Sequence, residues 1–376
     1  MKKLSILSLH LNYGGAEKSI CALANLLCDK YDVEIVCTYK IIDKPAFYLD
    51  PKIKVKYLTD VKPNENEWKK TIKEKNIFKF IKESFYSVKV LYLRKKTMKE
   101  YIKNTDSKII ISSRYLFNNI LSKYSKKDVL KIGWEHNHPH GNMKFANKVT
   151  NSAKNLDYFV LVSKNLQSLY QEKLKKSKCK CVYIPNIVDE NDKSSNLLSK
   201  NLVSVGRLSK EKGFMDLLII FNKILKKYPD YKLNIIGDGE EKEKLENYIK
   251  ENNLEKNVIM HGFQNKDYIN NILIDSMIYL MTSFTESFGI VLIEAMSYGI
   301  PCIAFSSAEG AEELIENGKN GYLINDRNID EYVSKVEFLM NNFKERKKMQ
   351  KNCINKANEF LGKNVIKKWL EILKGV

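Results

Sequence analysis

No run of about 18 apolar residues occurs in the 376-residue chain, so a membrane-spanning helix is not expected. A secretory leader is not expected either. Met1-Lys2-Lys3 leads straight into an apolar segment that ends near Leu9, too short and without a small-residue cleavage site. The seven cysteines are odd in number and scattered. Cys179 and Cys181 alternate along one expected strand, with no second pair at zinc spacing. All seven read as reduced, mostly core thiols of a cytosolic protein. Acidic residues are scarce in one half only. Residues 1–190 hold 37 Lys+Arg against 19 Asp+Glu, a difference of +18, and the remainder holds 27 against 26, a difference of +1. A general bias toward Lys, Asn and Ile would not spare the second half. The asymmetry points the first half at an anionic surface, membrane or nucleic acid.

What is present is an α/β pattern long enough for two domains. Its centre is residues 277–298. Residues 277–281 read as a buried strand, and 290–298 read as a helix stopped by Gly299-Ile300-Pro301. Glu286 therefore lies in a strand-to-helix loop and Glu294 one to two turns into the helix. The helix opens near Phe288-Gly289-Ile290, where unpaired N–H groups can meet an anion and Gly289 lets the backbone come close. Carboxylates accept from sugar hydroxyls, and the N–H groups suit a diphosphate. Two Glu at this spacing are common by themselves, and a plain surface loop would explain them. The segment nevertheless resembles the Glu-x7-Glu signature of retaining glycosyltransferases of family four, which have the two-domain GT-B fold. The resemblance implies that Glu286 faces the transferred sugar and Glu294 holds the nucleotide ribose.

In the first half, a buried strand (residues 4–11) runs into Asn12-Tyr13-Gly14-Gly15-Ala16-Glu17, then a helix from Ser19 and a strand over 33–38. This opens a Rossmann-like half without the dinucleotide fingerprint. It resembles the family's Gly-Gly-x-Glu loop, which implies that Gly15, and with it Gly14, lies against the donor diphosphate. Residues 68–103 interleave Trp68, Ile72, Phe78, Phe85 and Tyr92 with many lysines. That is a basic amphipathic segment suited to an anionic membrane, or a helical pair packed on the sheet with solvated lysines. No nucleic-acid motif accompanies it, and no nucleic-acid partner is expected. A strand over 129–134 ends in Glu135-His136-Asn137-His138-Pro139-His140. Pro139 breaks the alignment a metal site would need, and no metal is expected. The family often has a His here that reaches the donor sugar, which implies His136, with His138 the weaker match. Ser163 resembles a position near the acceptor. Pro185-Asn186-Ile187-Val188-Asp189 resembles the motif that ends the first domain, and the polar run 190–201 is the expected linker.

In the second half, a strand over 202–206 leads to Arg207 and Lys212 in one loop, where fork and point charge can converge on a diphosphate. The loop resembles the family's Gly-Arg-x5-Lys-Gly element; Lys210 is its decoy. Gly237 closes the next strand-turn near the nucleotide, and Phe263 follows a strand whose end meets the base through backbone atoms. An apolar stripe including Val365, Ile366 and Trp369 marks a last helix that crosses back to the first domain in GT-B enzymes.

The expected organisation is a Rossmann-like acceptor-side domain (1–190), a nucleotide-sugar domain (201–355) and a crossover helix (356–376), the two domains facing across a cleft. The resemblance implies a retaining sugar transfer from a nucleoside-diphosphate-sugar, with no further cofactor, by same-face attack. The acceptor expected is a lipid-linked saccharide, and the protein is expected to be cytoplasmic and peripheral at the inner face of the membrane. A GT-B epimerase or phosphorylase, and a basic binding protein with a vestigial site, are the competing readings.

Overall fold

The computed structural model describes residues 1–374 and divides into two units, Met1–Ile187 with the chain from Ile366 onward, and Val188–Val365. In the first unit seven strands form one parallel sheet. They are β1 (Lys3–Ser8), β2 (Asp32–Tyr39), β3 (Lys54–Thr59), β4 (Ile109–Ser112), β5 (Leu130–Glu135), β6 (Tyr158–Leu161) and β7 (Lys180–Tyr183), in the order β3-β2-β1-β4-β5-β6-β7. The second unit has six: β8 (Asn201–Val205), β9 (Lys232–Ile236), β10 (Val258–Met260), β11 (Ile278–Met281), β12 (Cys302–Phe305) and β13 (Gly321–Ile324). Their order is β10-β9-β8-β11-β12-β13, again all parallel.

Apolar runs explain the central strands. β4 and β12 are buried at every residue, as strands with helices on both faces must be. β3, at the edge of the first sheet, alternates exposed and half-buried residues in its first half instead. Each fully buried Leu or Ile stabilises the fold by roughly 1.5–3 kcal/mol relative to exposure, and both sheets are lined with them.

In each sheet the strand order reverses beside the first strand, between β1 and β4 and between β8 and β11. Loops leaving the carboxyl ends of these strands bracket the crevice where ligands bind in such sheets.

The expected basic segment is two helices, Glu65–Lys73 and Ile77–Asn104. The longer one buries only Val90, Met98, Tyr101 and Ile102. The last helix, Gly362–Leu373, straddles the division between units. Trp369 is completely buried in the first unit, edge-on to Trp134 with ring centroids 5.0 Å apart, and Lys368 lies over the Tyr183 ring.

Candidate active site

In the second unit the loops after β8 and β11 meet. Lys212 Nζ donates to the Glu286 carboxylate at 2.5 Å. The two side chains are 24% and 17% exposed, so solvent and a ligand can still reach the pair. Two main-chain contacts set this approach. Phe284 N–H donates to Glu211 O at 2.8 Å, and the Thr282 hydroxyl reaches Lys212 O at 3.4 Å.

Arg207 leaves the end of β8 exposed. Its charge and that of Lys212 both bear on Glu211. Burial pushes the Glu211 carboxyl up, but Ser209 and these two cations outweigh it and hold it below its usual range. Arg207 and Lys212 thus share one neighbourhood, as their spacing suggests. Glu286 and Glu294 do too. The buried Tyr279 hydroxyl is raised well above its ordinary value, chiefly by burial, with the charges of both glutamates adding to the effect.

The helix Ile290–Ser297 starts on Gly289, which has φ 83°, a left-handed conformation that side chains other than Gly rarely adopt. Phe288 is buried, its ring packed 5.7 Å from that of Phe360. Ile290 is the first helical residue. Gly237 follows β9 and its N–H donates to Gly262 O at 2.8 Å. Phe263 comes next after Gly262 and is 53% exposed.

The first unit carries a second group at its own reversal point. Arg114, just beyond β4, is ion-paired with Glu17, and His10 Nδ1 lies 3.7 Å from the same carboxylate. The helix expected from Ser19 begins at Gly15, because the chain turns helical immediately after Gly14. Nothing lies within 4 Å of where a Cβ on Gly15 would sit, whereas one on Gly14 would strike the Glu17 carboxylate. Packing therefore explains Gly14 and leaves Gly15 facing open space.

At the end of β5, the His136 ring packs on Trp134 with centroids 4.5 Å apart. Its nitrogens are out of solvent, and burial holds its pKa down to about 3, with the Arg114 charge acting in the same sense and Asn186 opposing. His136 is a neutral imidazole at physiological pH. Burial raises its neighbour Glu135 to about 7, against the pull of the Asn137 and His136 N–H groups and Arg114. Glu135 Oε1 accepts from the main-chain N–H of His136 (3.2 Å) and Asn137 (3.0 Å). His138 Nδ1 accepts from the His140 N–H at 3.1 Å. Asn186 is buried beside His136, and Ser163 is the N-cap of the helix Lys164–Leu174, its Oγ accepting from Leu166 N–H.

Sequence reasoning singled out neither Glu135 nor Arg114, and it did not single out Arg327. The signal for the first two was their place, a charged residue at or just past the end of an apolar strand. Arg327 follows the turn after β13 and carried no such mark.

Residues 188–356 match the family described as glycosyl transferases group 1. An uncharacterized glycosyltransferase of Haemophilus influenzae is 28% identical over 382 residues, covering 99% of this chain and 100% of that one. An N-acetylgalactosamine-N,N'-diacetylbacillosaminyl-diphospho-undecaprenol 4-alpha-N-acetylgalactosaminyltransferase of Campylobacter jejuni is 26% identical over 389 residues, covering 100% of both chains. Among solved structures, sucrose-phosphate synthase from Thermosynechococcus elongatus superposes with TM-score 0.80 at 15% identity, over 100% of this chain and 98% of that one. Anabaena HepE in complex with UDP and glucose gives 0.74 at 18% identity, over 100% of both. With its two parallel-sheet units, the chain has the GT-B fold and is a glycosyltransferase of the hexosyltransferase type, whose residues 188–356 resemble the group 1 glycosyl transferases.

Proposed function

We propose that this enzyme moves a sugar from a nucleoside-diphosphate-sugar to a hydroxyl of a lipid-linked saccharide, with retention at the anomeric carbon. The observation that carries the reading is the meeting of Lys212 and Glu286 at the strand reversal of the second unit, with Arg207 beside them and a helix start close by in sequence. Cleavage of the sugar–phosphate bond leaves negative charge on the diphosphate. Arg207, Lys212 and the N–H groups opening the helix Ile290–Ser297 are placed to stabilise that charge as it develops. The leaving phosphate oxygen accepts the acceptor's proton on the same face of the sugar, so no enzymic nucleophile is needed. Glu286 orients the sugar ring and Glu294 holds the ribose. In the first unit the residues we assign to the reaction are His136, a neutral imidazole, and Gly15, whose α-carbon faces open space. Ser163 is assigned a place near the acceptor, and Asn186 belongs to the motif that ends the first domain.

The acceptor class is supported by the Campylobacter relative, whose name specifies a diphospho-undecaprenol acceptor. It is supported again by the helical pair in the first unit. No helix of the described residues is long and apolar enough to cross a membrane. The pair is instead closed by polar contacts. Asn64 Nδ2 donates to the Glu83 carboxylate at 2.7 Å and Trp68 Nε1 to Ser84 Oγ at 3.0 Å. Its apolar residues are left outside: Ile77 (70% exposed), Phe78 (89%), Phe85 (74%) and Tyr92 (61%), among exposed lysines. Such a face lies on an anionic bilayer with its rings in the headgroup boundary, and the enzyme works peripherally at the cytoplasmic face.

The test is a screen of nucleoside-diphosphate-sugars for hydrolysis and for transfer to polyprenyl-diphosphate saccharides, with and without a divalent-ion chelator. Turnover that survives chelation and falls at least about a hundredfold in R207A and K212A is the expected result. Loss of turnover on chelation, or its survival in both variants, would refute the charge-neutralising role assigned to the two cations.

A further inference from the structure

We infer that Arg327 is a positioning residue for the transfer reaction, fixing the main chain from which both Glu286 and Lys212 project. The inference rests on the transfer reading above. Arg327 is far from Glu286 in sequence, and its guanidinium reaches three separate segments of the second unit. Nη1 donates to Ser283 O and to Ser307 Oγ, both at 3.1 Å. Nη2 donates to Thr282 O at 3.0 Å and is ion-paired with Asp216, in the first turn of the helix Phe214–Leu225. The planar group also lies over two rings, 3.6 Å from the Phe284 centroid and 4.3 Å from that of Phe305.

The two carbonyl acceptors, Thr282 and Ser283, are the start of the loop that carries Glu286. The loop bearing Lys212 leans on the same main chain. Gly213 stands so close to Thr282 O that a Cβ there would come within 2.2 Å of it, and Phe284 N–H holds Glu211 O. One guanidinium therefore sets the separation of the two loops that bring the cation and the carboxylate together. The turn that delivers it is unusual: Asp326 and Arg327 both have positive φ, 48° and 51°. Non-glycine residues hold that conformation only where their surroundings over-determine it. A fork is required. Two carbonyls, a hydroxyl and a carboxylate around the edge of one plane are four acceptors, more than the three donors of a single ammonium can serve.

The full-length R327K and D216N variants test this by three readouts. Hydrogen–deuterium exchange reports the loop, steady-state kinetics report kcat and KM for the donor, and titration with UDP and GDP reports nucleotide binding. R327K is expected to melt within a few degrees of the parent and to bind nucleotide within about threefold. Its kcat is expected to fall at least about tenfold, because misplacement of reacting groups is costly even where binding survives. Exchange should quicken over residues 282–289 and not over the helix 214–225. Millimolar guanidinium should restore part of the turnover of R327A and none of that of K212A. An unchanged kcat in folded R327K overturns the inference, as does a parallel fall in melting temperature, affinity and kcat, the pattern of an ordinary core contact. Should R327K not fold, D216N is expected to show the same kcat-weighted loss at smaller size, and no change in it overturns the inference. A parent enzyme that consumes no nucleotide-sugar refutes the transfer reading instead, and the exchange pattern still decides whether Arg327 holds the loop.

Discussion

Lys212 and Glu286 illustrate how little an ion pair contributes where it is wet. With side chains still 24% and 17% exposed, the pair stabilises the fold by about 0.2–1 kcal/mol. K212A and E286Q should therefore unfold within about 1 kcal/mol of the parent in urea while losing most turnover. A large loss of stability in either would recast the pair as a fold contact. Glu135 is the opposite case, buried and near neutral. Its ordinary pKa is near 4.5 and burial raises it to about 7. Between those values the folded chain holds a proton that the unfolded chain has released, so stability falls as pH rises from 4.5 to 7 and levels off above. His136, held down to about 3, works in reverse and costs stability as pH falls below 6.5. E135Q removes only the first effect. Relative to the parent it should gain roughly 2–3 kcal/mol on going from pH 5 to pH 8, measured by denaturant unfolding at both values. An unchanged difference would mean Glu135 ionises freely in the fold.

Among the elements, the helix Ile77–Asn104 makes the sharpest claim. Its stretch from Ile77 to Tyr92 presents Ile77, Ile81, Phe85, Val88 and Tyr92 at i, i+4, i+8, i+11 and i+15, one stripe of a 3.6-residue helix. All five are exposed. Apolar residues in the bilayer boundary resist salt, and lysines do not. F78S with F85S should therefore abolish the liposome binding that persists in high salt, and Lys69, Lys70 and Lys73 to Glu should abolish the part that salt releases. Equal loss of both parts in either variant would defeat this division of labour. Periodicity revealed this amphipathic segment in the sequence but not which face the fold would cover; that depends on partners far along the chain. The loops after β8 and β11 were legible for the converse reason. Arg207 with Lys212, and Glu286 with Glu294, each sit within a few residues, between a readable strand and a readable helix. Arg114 with Glu17 and Arg327 with Asp216 are pairs separated by about a hundred residues, and only the strand order brings them together. Ser163 was readable as a site residue, yet its hydroxyl closes a helix N-terminus, a use that a strand-then-helix boundary equally foretells.

At the scale of the whole molecule, the two sheets share one design, with the polar groups gathered where strand order reverses. They differ in how they are completed. The second unit is one continuous stretch, and the first takes its last helix from the far side of it. Trp369, wholly buried against Trp134, should make the first unit sensitive to a change made after the second. W369A is expected to cost about 3–5 kcal/mol, read as increased exchange at β5 with the second sheet unaffected. Loosening of β8 and β9 instead would place the helix in the wrong unit.

That completion also orders events during synthesis. A nascent chain has all seven strands of its first sheet outside the ribosome before any of the second appears, yet the indole of Trp134 lacks the ring it packs against edge-on until Trp369 emerges. Domains usually fold in the order they are made. Here the earlier one is finished last, and its exposed Trp134 surface is where chaperones should bind a stalled chain.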